Sequence, residues 1–159
     1  MATLRLAYER LDLAQRNKLE NSFAWHHYGH SRGKIAPDLA TGDELAALSP
    51  QCWRMVWKNP VNGRSALYLA SHAYAIEGME TKAGERLIEE LTEAATAPGT
   101  TYEHKWRNGD VVMWDNRATM HRGRPWPGNE PRYMVRTTIS ATAVDGVESM
   151  RPPPRLAAE

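Results

Sequence analysis

Apolar residues recur along this chain in more than one rhythm, and each rhythm predicts an element. Leu4, Ala7, Leu11 and Ala14 step by three or four positions, and Leu19 and Phe23 sit one turn apart. That spacing predicts helix across residues 3–28, with Asp12 placed to cap a second helix starting near Leu13 after a short break. Ala83, Leu87, Leu91 and Ala95 repeat every four residues with Ile88 beside them, while Glu85, Glu89, Glu90 and Glu93 take the remaining surface. This is the pattern of an amphipathic helix over residues 81–96, capped by Thr81 and stopped by Pro98 and Gly99. The glutamates are better explained as a solvated helix face than as paired catalytic carboxylates.

Other stretches follow strand rhythms. Val111, Val112, Met113 and Trp114 run together after the turn Asn108, Gly109, Asp110, which predicts a buried strand. Residues 101–107 alternate, with Tyr102, His104 and Trp106 on one face, and predict a half-exposed strand forming a ribbon with residues 111–114. In residues 132–140, Arg132, Met134, Arg136 and Thr138 share one face; Tyr133, Val135, Thr137 and Ile139 share the other. Both faces are expected to be at least partly buried. Residues 55–58 and 65–69 flank the turn containing Asn62-Gly63, a strong hairpin signal. Residues 31–50 read mainly as loop with a short helical turn at 43–48, and the Gly- and Pro-rich residues 123–131 as loop.

Length and composition narrow the class. The 159 residues have room for one domain with a real core, taken as residues 1–150, followed by a Pro-rich tail at 151–159. The fold class expected is mainly β with flanking helices (α+β). A hydrophobic share of 42% and a net charge of +1 fit a globular protein with neither nucleic acid nor a membrane surface as partner. Cys52 stands alone, which excludes an intrachain disulfide framework and fits a packed thiol in a reducing compartment. With no signal peptide or membrane-spanning run, a cytoplasmic location is expected.

The candidate chemistry gathers late in the chain. His121 lies between arginines, and the strand predicted after it carries two guanidiniums on one face. A buried cation needs an anion, from the protein or from a ligand. Asp115 and Glu130 are the protein's own candidates. Four residues of strand span roughly 13 Å, so Arg132 and Arg136 suit two anions better than one clamp. Earlier, His26 and His30 would share a helix face at metal-binding spacing, although Gly29 points to a helix end and the helix dipole favours histidines there anyway.

The run Trp114, Asp115, Asn116, Arg117 with His121, Arg132 and Arg136 resembles the C-terminal half of the taurine/2,4-dichlorophenoxyacetate dioxygenase family. The resemblance continues upstream through Asn59 to Gly63, His72 to Met79 and Tyr102 to Trp106, most of the chain. It implies a partial double-stranded β-helix (jelly roll) lacking its N-terminal strands. It also implies Fe(II) and 2-oxoglutarate as cofactor and co-substrate, with O2 and a small anionic organic substrate, such as an aryloxyalkanoate or sulfonate. By resemblance His121 is the catalytic distal histidine and metal ligand, and Arg132 pairs with 2-oxoglutarate. Arg136 holds the anionic group of the substrate, and His72 is a candidate substrate contact, weighed against a structural histidine at a strand end. Asp115 and Asn116 are expected to hold the turn before His121 rather than to bind metal. A homo-oligomer is compatible with the family.

One departure qualifies this. The family sets its carboxylate ligand two residues after its first histidine. Here the residues two positions after the six histidines are Tyr28, Gly29, Arg32, Tyr74, Trp106 and Gly123. One ligand does not hold Fe(II) against water, so this chain alone is expected to bind iron poorly and to be inactive. The alternative is a non-catalytic jelly-roll remnant that binds an anion or a partner subunit.

Overall fold

A computed structural model describes residues 1–153 of the chain. Among the described residues, three small antiparallel sheets and five α-helices share one apolar core. The chain opens with β1 (Ala2–Thr3), α1 (Leu4–Glu9) and α2 (Leu13–Glu20). The predicted break between the helices is present, and Asp12 caps α2: its carboxylate accepts the Gln15 N–H at 2.7 Å while Gln15 accepts the Asp12 N–H at 3.1 Å. The helix does not continue to residue 28. Phe23–His26 form β2, the central strand of a sheet ordered β3–β2–β6, with β3 at Gln51–Arg54 and β6 at Ala73–Ile76. Aromatic and large residues at 23, 25 and 26 fit a pleated, half-buried surface, and two flanking strands outweigh the weak helical spacing of Leu19 and Phe23.

The hairpin forms as its turn residues require. β4 (Val56–Lys58) pairs with β5 (Ser65–Leu67), and Gly63 adopts a positive φ of 69° at the turn. Asn59 fastens it by accepting the Val61 N–H on its side chain at 2.8 Å. Trp57 and Met55 are fully buried with Leu4, Leu19 and Leu67 at the centre of the core.

Short helices α3 (Tyr28–Gly33) and α4 (Gly42–Ala47) follow, linked by the Tyr28 hydroxyl, which donates to the Glu44 carboxylate at 3.1 Å. Helix α5 (Thr81–Thr96) packs on β6. Its N-terminal cap is Glu80, not Thr81: the carboxylate accepts the N–H groups of Lys82 and Ala83 at 3.0 and 2.9 Å. Ile88, Leu91 and Ala95 are buried as the spacing predicts and Leu87 packs against the core, but in the first turn the buried residue is Gly84 and not Ala83. Gly84 marks the closest approach of the helix to the sheet. A Cβ there would stand 3.1 Å from the Ile76 backbone nitrogen, so the missing side chain is what lets helix and strand approach.

Three expected strands are not formed. Residues 101–107 make only a bridge from Thr101 to Ala2, residues 111–114 run without partners, and residues 132–140 are exposed throughout. Val111, Met113, Tyr133, Val135 and Ile139 are all exposed. Alternation fixes which face a residue takes once a strand is paired, but hydrogen bonds to a neighbour make the strand, and no described segment offers one here. From the same region only β7 (Thr119–Met120) pairs, with β1. Of the expected tail, residues 154–159 lie outside the described residues, while Arg151 lies over the Trp53 ring at 4.8 Å. No helix among the described residues is long and apolar enough to cross a membrane.

Candidate functional site

The stretch leading to His121 is held by a charged clasp. Asp115 accepts from Arg117 Nε at 2.9 Å and from its backbone N–H at 3.0 Å, and Arg117 reaches on to Asp145 at 2.5 Å. The Arg117 guanidinium lies 4.6 Å over the buried Trp57 ring. Burial alone would raise the Asp115 pKa, but the hydrogen bonds and charge of Arg117, with Arg5 beyond, hold it below the usual carboxylate range. Asn116 accepts from the Trp114 indole N–H at 2.7 Å. Asp115 and Asn116 therefore fix the turn, as their positions in the sequence suggest.

His121 follows directly after β7, with its ring 4.8 Å from that of Trp114. Its pKa is lowered, first by burial, then by the positive charges of Arg136 and the Met1 ammonium. Arg136 thus acts electrostatically on His121 even though no strand carries it there. Arg132 lies 5.3 Å over the Trp126 ring, its Nε 2.9 Å from the Met134 sulfur. Of the protein's own candidate anions, Asp115 is engaged with Arg117 and Arg5, while the Glu130 carboxylate forms no salt bridge among the described residues. Among the described residues neither Arg132 nor Arg136 has a carboxylate partner.

His72 is placed elsewhere, beside a residue the sequence did not pair with it. Strands β2 and β6 lie together, and the His27 N–H donates to the His72 carbonyl at 2.8 Å. This sets the His72 ring 5.1 Å from that of His26, which also meets Tyr68 at 5.8 Å. His26 is only 4% exposed, and neither of its ring nitrogens has a hydrogen-bond partner. Burial, with the neighbouring His72, lowers its pKa to about 4, so the ring is neutral at pH 7. The His72 pKa is lowered too, by burial and then by His30. His26 ends a strand and His30 lies in α3, so the shared helix face expected for them does not exist.

His26 and His72 line a cleft of about 350 Å³ at the end of the β3–β2–β6 sheet. Trp53, Tyr28 and Leu48 share its walls with the polar side chains of His27, Ser49 and Gln51. The only sequence signal for it was the run of aromatic and imidazole side chains at residues 25–28; its partner His72 arrives by strand pairing across the chain. A second hydrogen-bonded row joins Tyr102, His104 and Asp110, with His104 at 3.0 Å from the Tyr102 hydroxyl and 2.9 Å from Asp110. Trp106 meets the His104 ring edge-on at 4.6 Å, so the predicted grouping of Tyr102, His104 and Trp106 holds without a strand.

Residues 2–138 match the model of the taurine catabolism dioxygenase TauD, TfdA family. The alpha-ketoglutarate-dependent 2,4-dichlorophenoxyacetate dioxygenase of Burkholderia sp. (strain RASC) is 35% identical over 135 residues, 85% of this chain and 46% of that protein. The (S)-phenoxypropionate/alpha-ketoglutarate-dioxygenase of Sphingobium herbicidovorans is 33% identical, covering 87% of this chain and 50% of the relative. The crystal structure of AAD-2 in complex with Mn(II) and N-oxalylglycine superposes with a TM-score of 0.76 at 39% identity, over 82% of this chain and 52% of that one. The chain therefore spans about half the length of the curated relatives it matches, and its small sheets with flanking helices are part of the jelly roll those structures share. With a family match covering most of its length and a clear structural likeness, the chain belongs to the TauD/TfdA family of dioxygenases.

Proposed function

We propose that this chain is the C-terminal portion of an Fe(II)- and 2-oxoglutarate-dependent dioxygenase. The reaction hydroxylates a small anionic substrate, an aryloxyalkanoate or a sulfonate, and decarboxylates 2-oxoglutarate to succinate. The observation that carries the reading is the charge arrangement around His121. It is an imidazole whose pKa is lowered first by burial and then by the charge of Arg136, with two guanidiniums nearby in sequence that no carboxylate among the described residues neutralises. A neutral imidazole is the form that ligates a metal. In this reading His121 is the catalytic metal ligand, Arg132 takes the distal carboxylate of 2-oxoglutarate, and Arg136 and His72 contact the substrate. The relatives' activity on aryloxyalkanoates supports the substrate class.

The described residues do not by themselves fit an iron site. No group of three or more His, Cys, Asp or Glu side chains among them converges as metal donors. Two further ligands must come from outside these residues, and no catalytic step belongs to His121 alone. The same gap favours a second reading, a non-catalytic jelly-roll remnant that binds an anion or a partner subunit. Anaerobic titration with Fe(II) and 2-oxoglutarate separates the two. A visible metal-to-ligand charge-transfer band at full intensity supports a complete centre. No band, with 2-oxoglutarate still bound and lost in Arg132→Met, leaves the chain as a family portion that holds the anion but not the metal. No 2-oxoglutarate binding at all removes the proposed role of Arg132.

A further inference from the structure

Tyr102, His104 and Asp110 form a hydrogen-bonded row that shares no residue with the reading built on His121, Arg132, Arg136 and His72. Each member is held from its own side. The Tyr102 backbone N–H donates to the Met1 carbonyl at 2.7 Å, and Thr101 beside it bridges to Ala2. Asp110 closes the turn at Gly109 by accepting the Arg107 N–H at 2.9 Å. Between them Trp106 meets the His104 ring edge-on at 4.6 Å.

The proton positions follow from these partners. One oxygen of Asp110 faces both the Arg107 N–H and His104 Nε2, each at 2.9 Å. An ionised carboxylate only accepts, so Nε2 carries the ring proton and Nδ1 keeps its lone pair. The Tyr102 hydroxyl, 3.0 Å from Nδ1, is therefore the donor to the ring. A hydroxyl aimed at a base that a carboxylate orients is the arrangement that activates a weak nucleophile. Tyr102 is 59% exposed, and with His104 and Asp110 it lines a surface cleft of about 410 Å³. Lys105 and Arg107 line the same cleft and form no salt bridge among the described residues. Their charge is available to an oxyanion that develops during acyl transfer.

We propose that this row is a second chemical site, at which the Tyr102 oxygen accepts an acyl group from an activated ester or thioester and passes it to water. The phenol proton moves to His104 Nδ1 as the Tyr102 oxygen bonds to the carbonyl carbon. The bond from that carbon to the leaving oxygen or sulfur breaks, and the leaving group takes the proton from Nδ1. Water then attacks the acyl-tyrosine and gives a proton to Nδ1, the carbon–oxygen bond to Tyr102 breaks, and the proton returns to the phenol oxygen. The sum is hydrolysis, one ester and one water giving one acid and one phenol or thiol. The nucleophile sets the substrate class. An acyl-tyrosine is itself a phenol ester, so the departing group must leave at least as readily as a phenol. Phenols and thiols, which ionise at about pH 8.5–10, meet this condition, and ordinary alcohols do not. His104 is the general base, and Asp110 positions it.

The test needs two reagents and, for its first part, no variant. An arylsulfonyl fluoride leaves a stable sulfonate on a tyrosine oxygen, with fluoride released, and peptide mapping reads each site. Accessibility alone favours Tyr133, 92% exposed, over Tyr102. Tyr102 is expected to react at least tenfold faster than Tyr133; equal rates or the reverse order would overturn the proposal. Steady-state hydrolysis of p-nitrophenyl acetate is the second readout, taken after any single-turnover burst. It is expected to fall at least tenfold in Tyr102→Phe and in His104→Gln, and turnover that survives Tyr102→Phe belongs to other groups and sinks the acyl-tyrosine route. Ring 15N signals of His104 at about pH 8 should place the proton on Nε2. Asp110→Asn keeps an oxygen for the Arg107 N–H but can donate to the ring, so the proton is expected to shift to Nδ1 and the Tyr102-to-Tyr133 rate ratio to drop with it. A proton on Nδ1 in the unaltered protein, or a ratio indifferent to Asp110→Asn, would overturn the relay.

Discussion

The imidazole of His26 packs against that of His72 with their ring centroids 5.1 Å apart, and neither residue owes this contact to its own segment. β2 and β6 bring them together across nearly fifty positions of sequence. Burying one neutral imidazole beside another has a consequence for pH.

The unfolded chain titrates His26 near 6.5, whereas the folded chain holds it near 4. Between these values the unfolded state binds a proton that the folded state refuses, so stability present above about pH 6.5 is lost as pH falls towards 4. That interval corresponds to about 3 kcal/mol for this one buried group. His30 and His72 are lowered in the same direction. The depressed carboxylates Asp115 and Asp145 act at lower pH, below the normal carboxylate range. Urea unfolding at pH 7.5, 6, 5 and 4 should show a slope that shrinks in His26→Phe; equal slopes in both proteins would remove His26 as its source.

Arg117 links Asp115 to Asp145 while covering Trp57. Arg117→Met keeps apolar cover on the indole but leaves two carboxylates facing each other. A loss of about 1–2 kcal/mol is expected, recovered in part by adding Asp115→Asn. Thermal unfolding of the single and double variants measures it. Strict additivity would mean that the clasp is not a unit.

Gly84 lets α5 seat on β6 where an added Cβ would stand 3.1 Å from the Ile76 backbone nitrogen, tighter than most side chains pack. Gly84→Ala gains helix propensity but loses fit, and the two effects oppose each other. Gly84→Leu has no such ambiguity, and overpacking against backbone should cost about 1–3 kcal/mol. Chemical denaturation that finds Gly84→Leu as stable as the unaltered chain would contradict the packing described.

Tyr133, Val135 and Ile139 stand in water along residues that alternation marks as a core strand. Tyr133→Ser and Ile139→Thr are therefore expected to change stability by no more than about 0.5 kcal/mol. A loss above about 2 kcal/mol would mean that these side chains find a covered environment, and the expectation of a buried strand would be restored.

What was legible in the sequence divides along local and non-local lines. The break at Asp12, the Asn62-Gly63 hairpin and the long helix at 81–96 are each specified by residues a few positions apart, and each is present. The helix face holds at Ile88, Leu91 and Ala95 and departs only in the first turn, where the partner's shape, not spacing, chose Gly84 over Ala83. β2 was missed because a strand between two others is decided by its neighbours. The strands expected at residues 111–114 and 132–140 failed for the converse reason, an apolar rhythm without a described partner. Around the candidate site, the residues resembling the family motif were legible, and Asp115 holds its turn as read. The His26–His72 pair was not, because no local pattern announces a contact made by pairing distant strands.

The clasp of Arg117 on Asp145 has one more consequence, for the chain between its two arms. β7 is tied to β1, and the turn at Ala143–Asp145 is tied to Arg117, so residues 121–142 hang as a loop whose ends are already closed. Closure entropy grows only logarithmically with length, about 0.6 kcal/mol for each doubling. His121, Arg132 and Arg136 therefore sit on a tether whose length, composition and sequence are nearly free variables for the rest of the fold. Change there is expected to alter the surroundings of these three side chains without the core registering it.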